Sequence, residues 1–351
     1  MDNNKYYPMN SAELLDSILD VYKKSFLKQI AITMIFGIMF TAIIYLVIFA
    51  GGITVALSLM SNMPSFSNPM DAFWKLLPSI IVFLIVFVII SIIYQALNTT
   101  GNSIITKQTF LNEPTDIGAV LKQSFKKILQ ASSAGLANLI VMIPLIVIVS
   151  IFLYVYIMMI VEITGNNTFP ATLTIVVTIA LAIVMLIVSI VCSAITMMSM
   201  SVAVFENKYF FSALKKSFQL VKPDFFKILG LIAVWSLIVS ATSYSISIVF
   251  NFAPVFVEMF FPQESAGVFS MIFMSLGSII SMAVSTLLAP LTGIFSTMMY
   301  INQRFKHEGL DMELNLNEIN AQRLKKQFEE SFKAPPTATP YPYGYNPGQR
   351  R

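Results

Sequence analysis

The sequence predicts an all-α fold: a polytopic membrane bundle of six transmembrane helices, built as three repeats of one amphipathic helix and two spans. Three observations carry that prediction. Hydrophobic residues make up 56% of the 351-residue chain and charged ones only 11%, against roughly 25% charged in an ordinary soluble domain. Long apolar runs, free of charge and near the roughly 20 residues that cross a bilayer, recur along the chain. A six-residue phrase also occurs three times, as Val21-Tyr22-Lys23-Lys24-Ser25-Phe26, Val120-Leu121-Lys122-Gln123-Ser124-Phe125 and Ala213-Leu214-Lys215-Lys216-Ser217-Phe218, each ahead of such a run. Internal repeats of this kind decide architecture and are sought before anything else.

The first repeat covers residues 11–110. Asn10 or Ser11 can cap a helix running to about Phe26, with Leu14, Leu15, Ile18, Val21 and Tyr22 forming its apolar stripe. At about 100° per residue, Ser25 falls in the middle of that stripe and Lys23 points away from it. The first span is expected at about 30–50, closed or bent by Gly51-Gly52. Residues 61–78, with three prolines, read as a loop with Phe73 and Trp74 at headgroup level. The second span is expected at 79–98, and the polar run Asn98 to Ser103 at or beyond the membrane boundary. Glu113-Pro114 ends the unit.

The second repeat, 115–206, begins with a cap at Thr115 or Asp116. Ile117, Val120, Leu121 and Ile128 form a stripe around Ser124, and Lys122 and Lys126 lie off it. Spans follow at about 134–160, kinked at Pro144, and 171–197, joined by a turn at Thr164 to Asn167. The third repeat, 209–314, places Ser217 among Phe210, Ala213, Leu214 and Val221, with Lys215 and Lys216 beside it. Lys222-Pro223-Asp224 breaks the chain before spans at about 228–250 and 268–300, separated by a loop at 251–267 and with Pro290 as a kink in the last. Residues 315–333 read as a cytoplasmic surface helix. The Pro/Tyr-rich tail 334–351 cannot bury a core and reads as disordered.

Charge sets the expected orientation. With six spans, 21 of the 22 Lys and Arg residues fall on one side, Lys75 being the exception. By the positive-inside rule that side is the cytoplasm, so a multi-pass protein of the cytoplasmic membrane with both termini inside is expected. The lysines at 23, 122, 126, 215 and 216 then face the headgroups of the inner leaflet. The first ten residues lack the pattern of a removable signal peptide.

The chemistry the residues exclude is equally informative. Asp, Glu, Lys, Arg and His are missing from the apolar interiors of the spans, which removes the side chains of ordinary proton relays and ion sites. His307 is the single histidine and Cys192 the single cysteine, so a Ser-His-Asp triad using a second histidine, a two-histidine zinc site and an intrachain disulfide are all ruled out. No phosphate-binding glycine motif occurs. No enzyme activity, cofactor, metal or nucleic-acid partner is expected. The serines of the last two spans, with Ser278, Ser281 and Ser285 on one face, favour close helix packing over a polar groove for a headgroup or solute.

Two stretches carry a family resemblance. Phe205-Glu206, then Ala213-Leu214-Lys215-Lys216-Ser217-Phe218-Gln219-Leu220-Val221 and Phe225-Phe226-Lys227-Ile228, is similar to a pattern of an acidic residue, an A-L-x-x-S-x-x-L helix and an aromatic-led span. The segment Arg304 to Leu314, with Glu308, Gly309 and Asp311, resembles an R-x-R-x-E-G-x-D-L-x-L ending. Together they resemble the membrane domain attached to some bacterial glycerophosphodiester phosphodiesterases, and its stand-alone relatives of undefined function. In those enzymes catalysis belongs to a separate barrel, for which this chain has neither the length nor the histidines. The resemblance therefore implies a membrane domain without the catalytic one. Two functions remain open: organising or sensing phospholipids or partner envelope proteins through the cytoplasmic helices, or acting as a permease or permease subunit for a lipid or small solute.

Overall fold

A computed structural model describes residues 6–62, 69–164, 171–260 and 263–333. The regular elements among the described residues are helical: α1 (Ser11–Asn62), α2 (Pro69–Phe110), α3 (Ile117–Lys126), α4 (Ile128–Val141), α5 (Ile143–Thr164), α6 (Ala171–Thr196), α7 (Ser199–Glu206), α8 (Phe210–Val221), α9 (Phe225–Phe260), α10 (Gln263–Glu308) and α11 (Leu310–Lys333). Among the described residues five helical stretches are long and apolar enough to cross a bilayer, and α4 with α5 makes a sixth if that bent pair is one span. Hydrocarbon offers backbone N–H and C=O groups no partner, so a chain this apolar crosses it as helices. The chain is a multi-pass membrane protein.

Several boundaries differ from those expected. Gly51-Gly52 neither closes nor interrupts α1, which continues to Asn62. A helical glycine costs about 1 kcal/mol relative to alanine in water, whereas a backbone group unpaired in lipid costs several. The residues expected as a loop at 69–78 belong to α2, which starts on Pro69 and carries Pro78 inside it. Proline suits a first helical turn because that N–H has no helical partner anyway. Likewise α9 extends through 251–260 to Phe260, where a loop was expected. The kink expected at Pro144 is a bend of 46° between α4 and α5, at Met142. Proline at 144 has no N–H to give and crowds the carbonyl four residues back. The helix α10 passes through Pro290 without interruption. The turn at 165–167 and the tail 334–351 lie outside the described residues.

The helix starts follow local chemistry. Asn10 Oδ1 accepts from the Glu13 N–H at 2.9 Å while Glu13 Oε2 accepts from the Asn10 N–H at 3.0 Å, a reciprocal cap for α1. Asp116 caps α3 by accepting from the N–H groups of Gly118 and Ala119. At α8 the N–H of Tyr209 donates to Ser212 Oγ at 3.1 Å. Lys222–Asp224 forms a short 3₁₀ turn between α8 and α9.

The chain divides into two compact units, Met9–Gln303 and a second made of Met1–Pro8 with Arg304–Arg351. In the larger one, burial gathers in the helix halves that adjoin the basic segments. Ile32, Phe36, Ala96, Leu97, Ile104, Ile105, Val120, Ala131 and Val204 form one cluster of it. The short α7 is buried from Ser199 to Val204, as a helix apolar on nearly every side must be. Trp235 of α9 stacks on Phe295 of α10 with ring centroids 4.8 Å apart. Elsewhere Leu46, Phe49, Leu84, Ile85, Leu153, Ile183 and Leu237 are exposed, as side chains facing lipid are. The run Asn98 to Ser103 lies within α2, and Thr100 to Ser103 are buried.

In the smaller unit α11 starts after Gly309, whose φ of +67° favours glycine over any residue with a Cβ. Asn315 holds the N-terminal segment by two hydrogen bonds: its Oδ1 accepts from the Tyr6 N–H at 3.2 Å and its Nδ2 donates to the Tyr6 carbonyl at 2.8 Å.

Candidate functional site

The three repeated phrases occupy α1, α3 and α8, and in each the serine is buried, at 1%, 0% and 0% exposure for Ser25, Ser124 and Ser217. The first residue of each phrase, Val21, Val120 or Ala213, is buried one turn before it. Lys23, Lys122 and Lys215, two positions ahead of the serines, are exposed, as is Lys126; Lys216 is half-buried. Each helix therefore has an inward face centred on a small polar residue and an outward face that is basic.

The hydroxyls are used differently. Ser25 Oγ donates to the Val21 carbonyl at 2.6 Å and accepts from Gln29 Nε2 at 2.8 Å. Ser124 Oγ donates to the Val120 carbonyl at 2.9 Å. Its helix also lies close to α2: a Cβ built on Gly101 would sit 2.7 Å from Ile32 Cγ2, 3.2 Å from Phe36 and 3.4 Å from Ser124 Oγ. Ser217 Oγ reaches across to α6, donating to the Ile195 carbonyl at 2.9 Å. A small side chain permits such approach, and its hydroxyl pairs either with the preceding turn or with the neighbouring helix.

A seam of buried polar side chains runs inward from these helices. Gln29 Nε2 also points at Thr106 Oγ1, 3.4 Å away; Asn102 Nδ2 donates to Asn98 Oδ1 at 3.0 Å and to Thr33 Oγ1 at 3.3 Å. Thr297 of α10 donates to Ser103 of α2 at 2.8 Å, and Ser296 donates to the Met197 carbonyl in the turn between α6 and α7 at 2.6 Å. This seam had a legible signal that the sequence reading missed. Ser25, Gln29 and Thr33, and likewise Asn98, Asn102 and Thr106, recur at four-residue spacing, which places each trio on one helix face.

The motif residues are placed as follows. Glu206, at the end of α7, accepts from the Tyr300 hydroxyl at 3.1 Å and pairs with Lys208 at 2.8 Å. In the smaller unit Arg304 Nε donates to Glu308 Oε2 at 2.8 Å, Gly309 makes the left-handed break, and Asp311 stands in the first turn of α11. Among the described residues no three His, Cys, Asp or Glu side chains come together.

The serine face of the sixth span divides. Ser278 is exposed and returns its hydroxyl to the Met274 carbonyl at 2.9 Å. Ser285 lines a groove of about 690 Å³ with Thr33, Phe40, Tyr45, Tyr94 and Met282, between α1, α2 and α10.

Comparison with known proteins finds no family model that matches the chain, no similar curated protein and no similar solved structure.

Proposed function

We propose that the chain is a non-enzymatic protein of the cytoplasmic membrane that organises or senses phospholipids, or partner envelope proteins, at the inner leaflet. The observation that carries this reading is the shared asymmetry of α1, α3 and α8, each with its serine buried and the lysine two positions earlier exposed. A helix packed through its serine face has its lysine face left for anionic headgroups, each lysine near the surface contributing about 1 kcal/mol. In this reading Ser25, Ser124 and Ser217 are docking residues and the three helices form a collar. Glu206, Arg304, Glu308, Gly309 and Asp311 keep the motif positions of the catalysis-free membrane domain that the chain resembles. Both termini are cytoplasmic, because 21 of 22 basic residues fall on their side.

The test is the lipid that accompanies the protein. In nanodiscs of equal phosphatidylglycerol and phosphatidylcholine, lipids retained by the protein are weighed by native mass spectrometry. Retained phosphatidylglycerol should exceed its share, and the excess should fall when Lys23, Lys122, Lys126, Lys215 and Lys216 are changed together to Gln. Retention at the mixing ratio rejects the reading. Reporter fusions after Glu113 and Lys208 should report the cytoplasm and one after Asn166 the outside; the reverse pattern rejects the orientation. Purified protein should show no metal-dependent turnover of a glycerophosphodiester.

A permease role has one observation in its favour, the groove beside Thr33 and Ser285. Uptake of a solute or lipid by proteoliposomes, abolished by Ser285→Phe, would establish it in place of the first reading.

A further inference from the structure

Two consecutive lysines sit where α3 gives way to α4. Lys126 closes α3 and is exposed, and Lys127 is the junction residue, half-buried, just ahead of the apolar run that begins at Ile128. That place in the chain puts both ammonium groups at the edge of the bilayer, where headgroups lie. The Lys127 ammonium donates to the Val204 carbonyl in the last turn of α7, where free carbonyls attract a cation. An ammonium has three N–H donors, so this bond leaves two more.

Around it is a hollow. A pocket of about 420 Å³ is lined by Gln123, Lys126, Lys127, Gln130 and Asn207. Asn207 forms its edge in the left-handed conformation, φ 53°, that ends α7. Gln130 Nε2 is fixed by a 3.1 Å bond to the Tyr209 hydroxyl. A third lysine stands near: Lys107 Nζ lies 5.1 Å from the centre of the Phe205 ring, and its charge is felt at Lys127. The carboxylate of Glu206, next in the chain to Asn207, is already engaged by Lys208 and Tyr300. Among the described residues neither Lys126 nor Lys127 pairs with a carboxylate.

We infer that the pocket between the α3–α4 junction and the end of α7 is a binding site for a phosphate ester, held by the ammonium groups of Lys126 and Lys127 with the amides of Gln123, Gln130 and Asn207 around it. Charge complementarity and shape argue for it together: two cations without a carboxylate partner line a hollow whose other walls carry side-chain amides. Burial, and then the charges of Lys107 and Lys126, hold the Lys127 ammonium below its ordinary pKa. A bound anion would relieve that repulsion, which other cations and burial only worsen. The inference rests on the proposed phospholipid reading and narrows it to one site. The phosphate can come from a lipid headgroup or from a soluble ester, since both present the same group.

The experiment titrates the full-length protein in detergent with dihexanoyl phosphatidylglycerol, dihexanoyl phosphatidylcholine and glycerol 3-phosphate, read by isothermal calorimetry and by the shift in Tm. Phosphatidylglycerol should bind at one site per chain, with Kd raised tenfold or more by Lys126→Gln and by Lys127→Gln. The Lys126 variant alters an exposed side chain, so it remains informative if loss of the Lys127 bond to Val204 impairs folding. Lys325→Gln and Lys326→Gln, exposed lysines of α11 that do not line the pocket, should leave Kd unchanged. Competition by glycerol 3-phosphate at similar concentration identifies a soluble ester as ligand, and its failure to compete identifies the headgroup; either supports the site. If all four variants weaken binding equally, the pocket is rejected while the wider phospholipid reading stands. Absence of any preference for phosphatidylglycerol over phosphatidylcholine rejects both.

Discussion

The side chain of Asn302 pairs with the backbone of Met9 through both of its polar atoms. Its Oδ1 accepts from the Met9 N–H at 2.8 Å and its Nδ2 donates to the Met9 carbonyl at 3.1 Å, with both residues buried. An asparagine here does the work of a strand partner for a segment that has no sheet to join. Asn302→Ala leaves a buried donor and a buried acceptor unpaired, at about 1 to 3 kcal/mol each. Thermal unfolding in detergent should show that loss, and Asn302→Asp, which keeps the acceptor and loses the donor, should fall between alanine and the parent. A parent-like Tm for the alanine variant would mean that the segment is held elsewhere.

The three buried serines should separate by what their hydroxyls do. Phe at Ser25, Ser124 or Ser217 overpacks a closed contact, at roughly 1 to 3 kcal/mol. Alanine tests the hydrogen bond alone. Ser124→Ala should be close to neutral, because that hydroxyl only returns to its own helix. Ser217→Ala, which breaks the bond to Ile195 of α6, should cost about 1 kcal/mol. Equal stability of the Phe variants and the parent would show that these helices do not dock.

At Gly101 α2 lies close against Ile32 and Phe36 of α1 and Ser124 of α3. The glycine hydrogen is all that fits against Ile32 and Phe36, since a Cβ would meet the first at 2.7 Å. In an unconfined helix Gly→Ala stabilises by about 1 kcal/mol through propensity. Here Gly101→Ala should instead destabilise, by about 1 to 3 kcal/mol. The sign of the Tm change decides it.

Lys127 makes stability depend on pH in a direction that can be worked out. Its pKa is lowered from 10.5, first by burial and then by Lys107 and Lys126. Between the lowered value and 10.5 the folded chain holds fewer protons at this site than the unfolded chain, so stability rises with pH there. Below both values the penalty of the charged, crowded ammonium is fully present. Unfolding followed from about pH 8 to about pH 10.5, near the ordinary lysine pKa, should show the parent gaining on Lys127→Gln as pH rises. Lysines other than Lys107 and Lys126, which share this electrostatic coupling, titrate in both proteins and cancel, so parallel curves would refute the shift.

Much of the architecture was open to reading because membrane insertion is a property of composition and period. Runs such as Ile30 to Ala50 are too apolar and too long to be anything but spanning helices. The caps at Asn10 and Asp116 and the break at Lys222-Pro223-Asp224 are local, set by side chains within four residues of the backbone groups they satisfy. The inward position of Ser25, Ser124 and Ser217 follows from helical period in the same way. Tertiary structure alone decided how far the helices run, because Gly51-Gly52 and Pro69 to Pro78 read as punctuation in water, and an apolar environment makes breaking a helix dearer than tolerating them. It alone brought Thr297 to Ser103 and Asn302 to Met9, pairs separated by 194 and 293 positions. Polar side chains in an apolar chain seek partners wherever packing supplies them, and no local pattern names the partner. For the same reason Lys127, one more lysine in a basic stretch, becomes the wall of a pocket only when the end of α7 is folded against it.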